Sequence, residues 1–456
     1  RMISPDVTEL IALPKAWSPG TNGPIRGKAV LAKLTVREDL EKQRGKLAGR
    51  IVLTDELREV KPQEKAALER FDEKSLGELW EYGAPAVRTQ FPPDEFRRRR
   101  EFRRALNRFL EEEKPLAVID PGTLDGGTFR VQQGGSYKKG EPVGVPALVM
   151  SVEHYGRIAR LLAQGRDVEL EVDVRARFHD EDPMSYNTVA EIPGTDRGGE
   201  IVMLGGHLDS WHGGTGATDN AAGVAIAMEA VRILRTLGAK PKRTIRIALW
   251  SGEEQGLLGS EAYVFEHFAS KPIPSDPKER ENFSLRRSPG PLTLKPAHAK
   301  LSAYFNADNG TGKIRGIYAE DNAGAVPIFE AWLAPLRDLG ATLVTMNTTG
   351  GTDRGRSGVG QPHDGFAHRA GLVHPVSRGP ARCERVESKF PASDLRARQQ
   401  RDQRVGAVGP RSQTVALGYN ARDAVPRCRR RRRILQLSLS DEVLRHGWLP
   451  GDRRLL

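Results

Sequence analysis

Cysteine is nearly absent from this chain, and the two present, Cys383 and Cys428, both lie near the C-terminal end. Residues 1–353 therefore hold neither a disulfide nor a thiolate metal site, and the redox compartment stays undetermined. Long apolar runs are missing too. None approaches the roughly 18 to 20 residues that a bilayer span requires. Arg1 is followed by neither a charged n-region nor an apolar h-region, and strand-like sequence begins at once, so the natural N-terminus with any export signal is expected to lie upstream. No His-Glu-x-x-His occurs, which excludes the helix-borne zinc protease arrangement. The body also lacks excess charge. The chain carries a net +12, but residues 354–456 hold 21 arginines and one lysine against nine acidic groups, which leaves residues 1–353 one charge on the acidic side of neutral. The basic character belongs to the tail, so a nucleic-acid reading of the overall charge would concern the tail alone, and no nucleic-acid partner is expected.

The chain's 456 residues suffice for two or three domains with sizeable cores. Residues 1–20 read as a remnant of the N-terminal part of the domain that follows later. Residues 21–178 show short strands separated by turns, with two helices. Gly45-Lys-Leu-Ala-Gly49-Arg-Ile51-Val52-Leu53 feeds a turn into a buried strand, and residues 115–122 repeat the pattern. In residues 94–113, Phe102, Leu106, Phe109 and Leu110 are spaced for one helix face, and Arg97 to Arg100 read as its solvated side. Residues 168–178 alternate, with Val168, Leu170, Val172, Val174 and Ala176 on one face, as in a half-buried strand. This segment offers no nucleophile, base or ligand cluster. Through Gly-Lys-Leu-Ala-Gly-Arg-Ile-Val-Leu and Val145-Pro-Ala-Leu-Val-Met150 it resembles a protease-associated (PA) domain, a β-rich module inserted in metallopeptidases.

From Asn187 the pattern changes to alternating strands and helices, which predicts a mixed or parallel sheet covered on both faces. Residues 200–205 read as a buried strand. Residues 221–237 read as a helix with Val224, Ala227, Met228, Val231 and Leu234 inward, and residues 244–250 as the next strand. In open α/β sheets ligands bind beyond the carboxyl ends of strands. His207, Asp209, Glu253 and Glu254 each follow one, and residues 301–310 supply a further carboxylate, Asp308, at another strand end before Gly310. Residues 270–298, with six prolines, read as a surface excursion that could border a substrate cleft.

These residue types suit a two-metal hydrolytic site. Zinc accepts neutral imidazole and carboxylate ligands, and two-metal hydrolases hold their ions about 3.5 to 4 Å apart, so one carboxylate must bridge them. Asp219, in the turn Gly216-Ala-Thr-Asp219-Asn-Ala-Ala-Gly223, suits the bridge. His207 would bind one ion, with Asp209 beside it to fix its tautomer. Adjacent Glu253 and Glu254 diverge, so one is expected to be a ligand and the other the general base acting on the attacking water. A lone His-x-Asp is usually a satisfied polar pair and a lone Glu-Glu usually surface; their ordered occurrence at strand and turn junctions favours a site. His212, His267, His298 and Asn306 read as structural or solvent-facing.

Gly206-His207-Leu-Asp209-Ser-Trp, Thr218-Asp219-Asn-Ala-Ala-Gly223, Trp250-Ser-Gly-Glu253-Glu254-Gln-Gly and Phe305-Asn-Ala-Asp308-Asn-Gly resemble the M28 family of dizinc exopeptidases, and within it the carboxypeptidase Q-like members that carry a PA domain. The resemblance implies an α/β fold, a zinc-exopeptidase-like mixed sheet flanked by helices with an inserted β-rich PA domain. It divides the chain into residues 21–178 (PA-like), 179–353 (an incomplete peptidase domain) and an arginine-rich tail at 354–456. It implies two Zn2+ ions, with His207 and Asp308 on one, Glu254 on the other, Asp219 bridging and Glu253 as base. The expected activity is removal of a terminal residue from a peptide substrate, by an aminopeptidase or by a dipeptidase or carboxypeptidase Q type of enzyme. A secreted or periplasmic setting, no membrane span, and a homodimer as one assembly open to it complete the expectation.

The pattern breaks after Gly350-Gly-Thr-Asp353. The family continues with further strands and a final histidine ligand for the ion held by Glu254, whereas here Arg354-Gly-Arg-Ser-Gly begins a tail of little hydrophobic periodicity. A reading-frame shift near codon 353, or disorder, is the expected cause. His363, His368, His374 and His446 are the tail histidines that could replace the ligand, none with motif support. Without it the Glu254 zinc site is weakened, and the alternative is a catalytically impaired relative that binds peptide or a single metal.

Overall fold

A computed structural model describes residues 1–60, 64, 72–80, 93–347 and 371–377, apart from positions 129, 180, 182, 183 and scattered positions between 278 and 311; for 93–97 and 371–377 it gives the backbone only. Two seven-stranded sheets follow one another along the chain. The first contains β1 (Met2–Ser4), β2 (Ala12–Pro14), β3 (Ile25–Leu31), β4 (Ile51–Leu53), β5 (Ala117–Pro121), β6 (Ala147–Met150) and β7 (Glu169–Val172), in the order β1-β7-β3-β4-β5-β6-β2. Strands β3 to β6 are mutually parallel, and β1, β2 and β7 close the edges antiparallel. Helices α1 (Arg37–Gln43) and α3 (Pro93–Glu113) cover one face, while α4 (Val152–Ala163) covers the other. Glu73–Glu78 forms the short helix α2.

The predicted helix face is the one buried. Phe109 and Leu110 are 3% exposed, and Phe102 and Leu106 pack beside them on Leu47, Val52 and Val118. Arg98 and Arg99 are exposed. The alternation in 168–178 also holds, since Val168, Leu170, Val172 and Val174 are all buried, although regular pairing covers only Glu169–Val172. Two expectations change. Residues 1–20 do not belong to the second sheet: Met2 and Ser4 pair with β7, and residues 12–14 pair with β6. The first unit is also less β-rich than expected, because short parallel strands need helical crossovers between them.

The second sheet has the order β15-β14-β16-β13-β9-β10-β8. Its strands are β8 (Thr188–Ile192), β9 (Arg197–His207), β10 (Arg243–Trp250), β13 (Leu301–Asn306), β14 (Ile314–Tyr318), β15 (Leu343–Thr345) and β16 (Gly371–Ser377); β11 (Ala269–Ser270) and β12 (Thr293–Leu294) form a separate pair. Strands β10, β9, β13 and β16 run parallel. Helix α5 (Ala222–Thr236) covers one face through Val224 and Ala227 on Ile247 and Leu249. Helix α6 (Leu258–His267) covers the other through Tyr263 and Val264 on Met203, Trp250 and Tyr304, and α7 (Val326–Leu333) packs near β15. Met228 does not join the inward face of α5: it is 53% exposed, because the helix touches the sheet along the narrow Val224–Ala227–Val231 line.

The tail also departs from expectation at one place. Residues 371–377 form β16, paired with β13 and β14, where no regular structure was expected after Asp353. The rest of the tail, with Cys383, Cys428, His363, His368 and His446, lies outside the described residues, as does the frame-shift reading at codon 353. No helix among the described residues is long and apolar enough to cross a membrane.

Candidate metal centre

Strand β9 delivers His207 at its carboxyl end. Gly205 lets it lie close to β10, since a Cβ there would sit 1.8 Å from the Ala248 carbonyl oxygen. The imidazole is fully buried. Its Nδ1 lies 2.9 Å from the Asp209 carbonyl oxygen, so an N–H there donates to the main chain and leaves Nε2 to face the centre. Two carboxylates meet Nε2, Asp219 Oδ1 at 3.0 Å and Asp308 Oδ1 at 3.2 Å.

Asp219 reaches this point from an irregular turn, residues 217–221, that follows Gly216 in the left-handed region (φ 67°) and leads into α5. Gly223, at the start of α5, permits the close approach, because a Cβ there would lie 2.0 Å from the Ala307 carbonyl oxygen. Asn220 locks the turn. Its Nδ2 donates to Ala307 O at 2.9 Å, and its Oδ1 accepts from the Gly223 amide at 3.2 Å. Asp308 follows β13 directly. The end of that strand is pinned by a buried chain in which Trp250 Nε1 donates to Tyr304 Oη (2.6 Å) and Tyr304 Oη donates to Asn306 Oδ1 (2.7 Å).

The structure thus brings His207, Asp219 and Asp308 together, each offering one ligand atom, all within 4.8 Å of one another; they are the one such group found among the described residues. Asp219 keeps a side chain 65% exposed, whereas Asp308 is 10% exposed, so the group opens to solvent on the Asp219 side. Glu254 is not in this group but feels it. Burial, then the negative charge of Asp219, push its carboxyl up to about 7, with His207 and a hydrogen bond from the Trp211 side chain opposing the rise. Burial works against a charged His207, yet the carboxylates of Asp209, Asp219 and Asp308 around it outweigh that and raise its pKa. Several carboxylates crowding one imidazole form a donor set short of positive charge, which fits a divalent cation.

Asp209 meets His207 Nδ1 through its main-chain carbonyl, and its carboxylate has a further task. Its carboxylate stands 3.6 Å from His207 Nδ1, too far for the tautomer-fixing hydrogen bond. The oxygens instead accept the main-chain amides of Glu253 (3.0 Å) and Glu254 (3.2 Å). The His-x-Asp pair therefore ties the end of β9 to the loop after β10. Asn220, Tyr304, Asn306 and Trp211 support the site without having been singled out as part of it. Asn220 and Asn306 each adjoin a carboxylate motif and Trp211 closes the His-x-Asp motif, which was the available signal; Tyr304 carried none. His212 is structural, as expected: its Nε2 lies 2.8 Å from the Pro14 carbonyl oxygen. Of the tail histidines, His374 falls in β16 next after the Phe305–Val373 pair, at the sheet edge from which Asp308 emerges.

Residues 187–335 match the model of peptidase family M28. Carboxypeptidase Q of Bos taurus is 39% identical over 134 residues, which are 29% of this chain and 28% of that protein. Carboxypeptidase Q of Xenopus laevis is 34% identical over 163 residues, 36% of this chain and 32% of that protein. The matched stretch thus spans less than a third of either relative's length. Among solved structures, a peptidase M28 precursor from Shewanella amazonensis is 25% identical, with 77% of this chain and 67% of that chain covered and a TM-score of 0.43. BSAP, a zinc aminopeptidase from Bacillus subtilis, is 16% identical, with 87% and 78% covered and a TM-score of 0.44. The family match encloses β8 to β10 and β13, with His207, Asp219 and Asp308, so it is residues 187–335 that are similar to peptidase family M28.

Proposed function

We propose that this protein is a zinc-dependent metallo-exopeptidase that removes a terminal residue from peptides. The observation that carries the reading is the convergence of His207, Asp219 and Asp308, three ligand atoms from two strand ends and the turn before α5, within 4.8 Å of one another. His207 and Asp308 would hold one ion, Asp219 would bridge to a second, and Glu254 would hold that second ion. Zinc bound there would act as a Lewis acid on the scissile carbonyl and on the attacking water. Glu253 would take the proton from that water and pass it to the leaving amine. Asp209, by accepting both loop amides, would hold Glu253 and Glu254 at the place where base and ligand are needed. The family match of residues 187–335 and the likeness to carboxypeptidase Q support a peptide substrate, and the PA reading of residues 21–178 is part of the same proposal. A secreted or periplasmic setting and a homodimer belong to it as well.

A second reading has its own observation. The metal group among the described residues contains a single histidine, and the ligand that would accompany Glu254 is missing from it. An impaired relative holding one ion would follow, unless His374, placed by the register of β16 at the same sheet edge, supplies the ligand. Hydrolysis of a free-terminus dipeptide panel, with and without chelator and added zinc, separates the two. The exopeptidase reading expects turnover that chelator removes and zinc restores. Zinc binding near one ion per chain with no turnover would favour the impaired relative.

A further inference from the structure

Glu253 and Glu254 stand in a loop, residues 251–257, without regular helix or strand, so their placement depends on what grips the loop from outside. Asp209 grips it from the second sheet. Asn187 and Ser185 hold its start at Ser251, and further contacts come through the first sheet. The Trp211 side chain approaches Glu254 and works to lower its pKa, an effect that an indole can exert only through its N–H. The Trp211 ring in turn meets Trp17 edge-on, with centroids 5.9 Å apart and planes at 74°. Trp17 also meets Tyr137 edge-on at 5.4 Å, and the Tyr137 hydroxyl lies 3.5 Å from the Gln255 carbonyl oxygen in the same loop. His212 Nε2 lies 2.8 Å from Pro14 O, and a Cβ on Gly213 would lie 3.0 Å from the Val131 side chain. Three consecutive residues, 211 to 213, are therefore each seated on the first sheet's loops.

Trp17 is itself held in place. It has φ 54°, in the left-handed region that a bulky side chain seldom adopts. Gly135 packs so tightly on it that a Cβ there would lie 1.7 Å from its carbonyl oxygen. Such a conformation persists where the surroundings over-determine it, and it concentrates at functional sites.

We propose that the Pro14–Trp17 segment of the first sheet is a positioning clamp for Glu254, acting through Trp211. Edge-to-face packing of Trp17 fixes the indole plane, the indole N–H fixes the carboxylate it donates to, and His212 on Pro14 keeps the segment from sliding. The first sheet thereby becomes part of the metal centre without contributing a ligand. The inference rests on the reading of Glu254 as a zinc ligand, so its test includes that residue.

Zinc affinity of the full chain, measured by calorimetry alongside the melting temperature, tests the clamp. Trp211→Phe keeps the ring and loses only the N–H; Trp17→Ala removes the packing; Trp17→Phe restores an edge-on ring. Glu254→Gln is the reference. The clamp predicts that Trp211→Phe and Trp17→Ala weaken zinc binding by about 10- to 100-fold, the range typical of groups that orient a ligand. It also predicts that Glu254→Gln weakens binding at least as much and that Trp17→Phe returns it to near the wild-type value. If Trp17→Ala does not fold, Trp211→Phe decides alone. Wild-type affinity in Trp211→Phe beside a weakened Glu254→Gln overturns the clamp and leaves the peptidase reading standing. An unchanged Glu254→Gln overturns Glu254 as a ligand and the clamp together, and a wild-type chain that binds no zinc overturns both readings.

Discussion

At the carboxyl ends of the parallel strands in the first sheet, Asp120 accepts from Thr54 Oγ1 at 2.6 Å and pairs with Lys15, and Tyr155 Oη donates to Asp55 O at 2.5 Å while accepting from its amide at 3.0 Å. At the corresponding ends in the second sheet, Asp219 and Asp308 meet at one buried imidazole, with Glu254 pushed up by burial and by the charge of Asp219. Both sheets place acids where ligands bind in open α/β folds. In the first, Lys15 offsets Asp120, whereas in the second two carboxylates share one imidazole. Strand-end placement is therefore common to both units, and charge imbalance is what singles out the centre. A structural acid is neutralised by its own chain, whereas a metal site leaves that task to an ion.

The largest effect that could break this comparison is on turnover. Glu253→Gln should lower kcat by roughly 10²- to 10⁴-fold with KM little changed, the usual contribution of a positioned general base, while Asp120→Asn in the first sheet should leave kcat alone; steady-state kinetics on a dipeptide checks both. Asp209→Asn comes next. An amide side chain keeps one acceptor oxygen where the carboxylate used two for Glu253 and Glu254, so zinc affinity should fall about 10- to 100-fold.

A matched pair of deletions sharpens the contrast. Tyr155 and Tyr304 are both fully buried, and each joins two hydrogen-bonding partners. Tyr→Phe at either position strands buried polar groups and should cost about 1 to 3 kcal/mol of stability, read by chemical denaturation. Tyr304→Phe should also weaken zinc binding, because Asn306 loses its anchor two residues before Asp308. Tyr155→Phe should not.

The smallest effect lies at Glu141. Burial pushes its carboxyl up, but Arg104 and Ser136 outweigh that and hold it below the usual range. A depressed acid contributes stability that is present above its unfolded pKa and lost as pH falls through the folded one. Glu141→Gln should therefore lower the melting temperature near neutral pH and flatten its fall on acidification, with zinc affinity unaffected.

Much of the second sheet was legible because its signals are local. Apolar runs ending in His207, Trp250 and Asn306 mark strands, and glycines at 216 and 223 mark the turn that carries Asp219. Long-range pairing was not legible. Nothing in residues 2–14 indicates that they pair with β6 and β7 instead of the second sheet, and β16 is too isolated in the arginine-rich tail for periodicity to reveal it. Met228 read as inward because helical spacing marks a stripe without giving its width. Asp209 was recognised as a partner of His207, which it meets through its main-chain carbonyl, but adjacency to His207 in sequence conceals the amides of Glu253 and Glu254, 44 and 45 residues away, that its carboxylate accepts.

The central claim is that His207, Asp219 and Asp308 hold zinc, and metal content tests it most directly. The wild-type chain, dialysed against trace zinc and assayed by elemental analysis, should retain at least one ion per chain, and His207→Ala and Asp308→Asn should each lose it while keeping their cooperative melt. A folded wild-type chain without zinc, or one whose zinc survives both substitutions, would contradict the account.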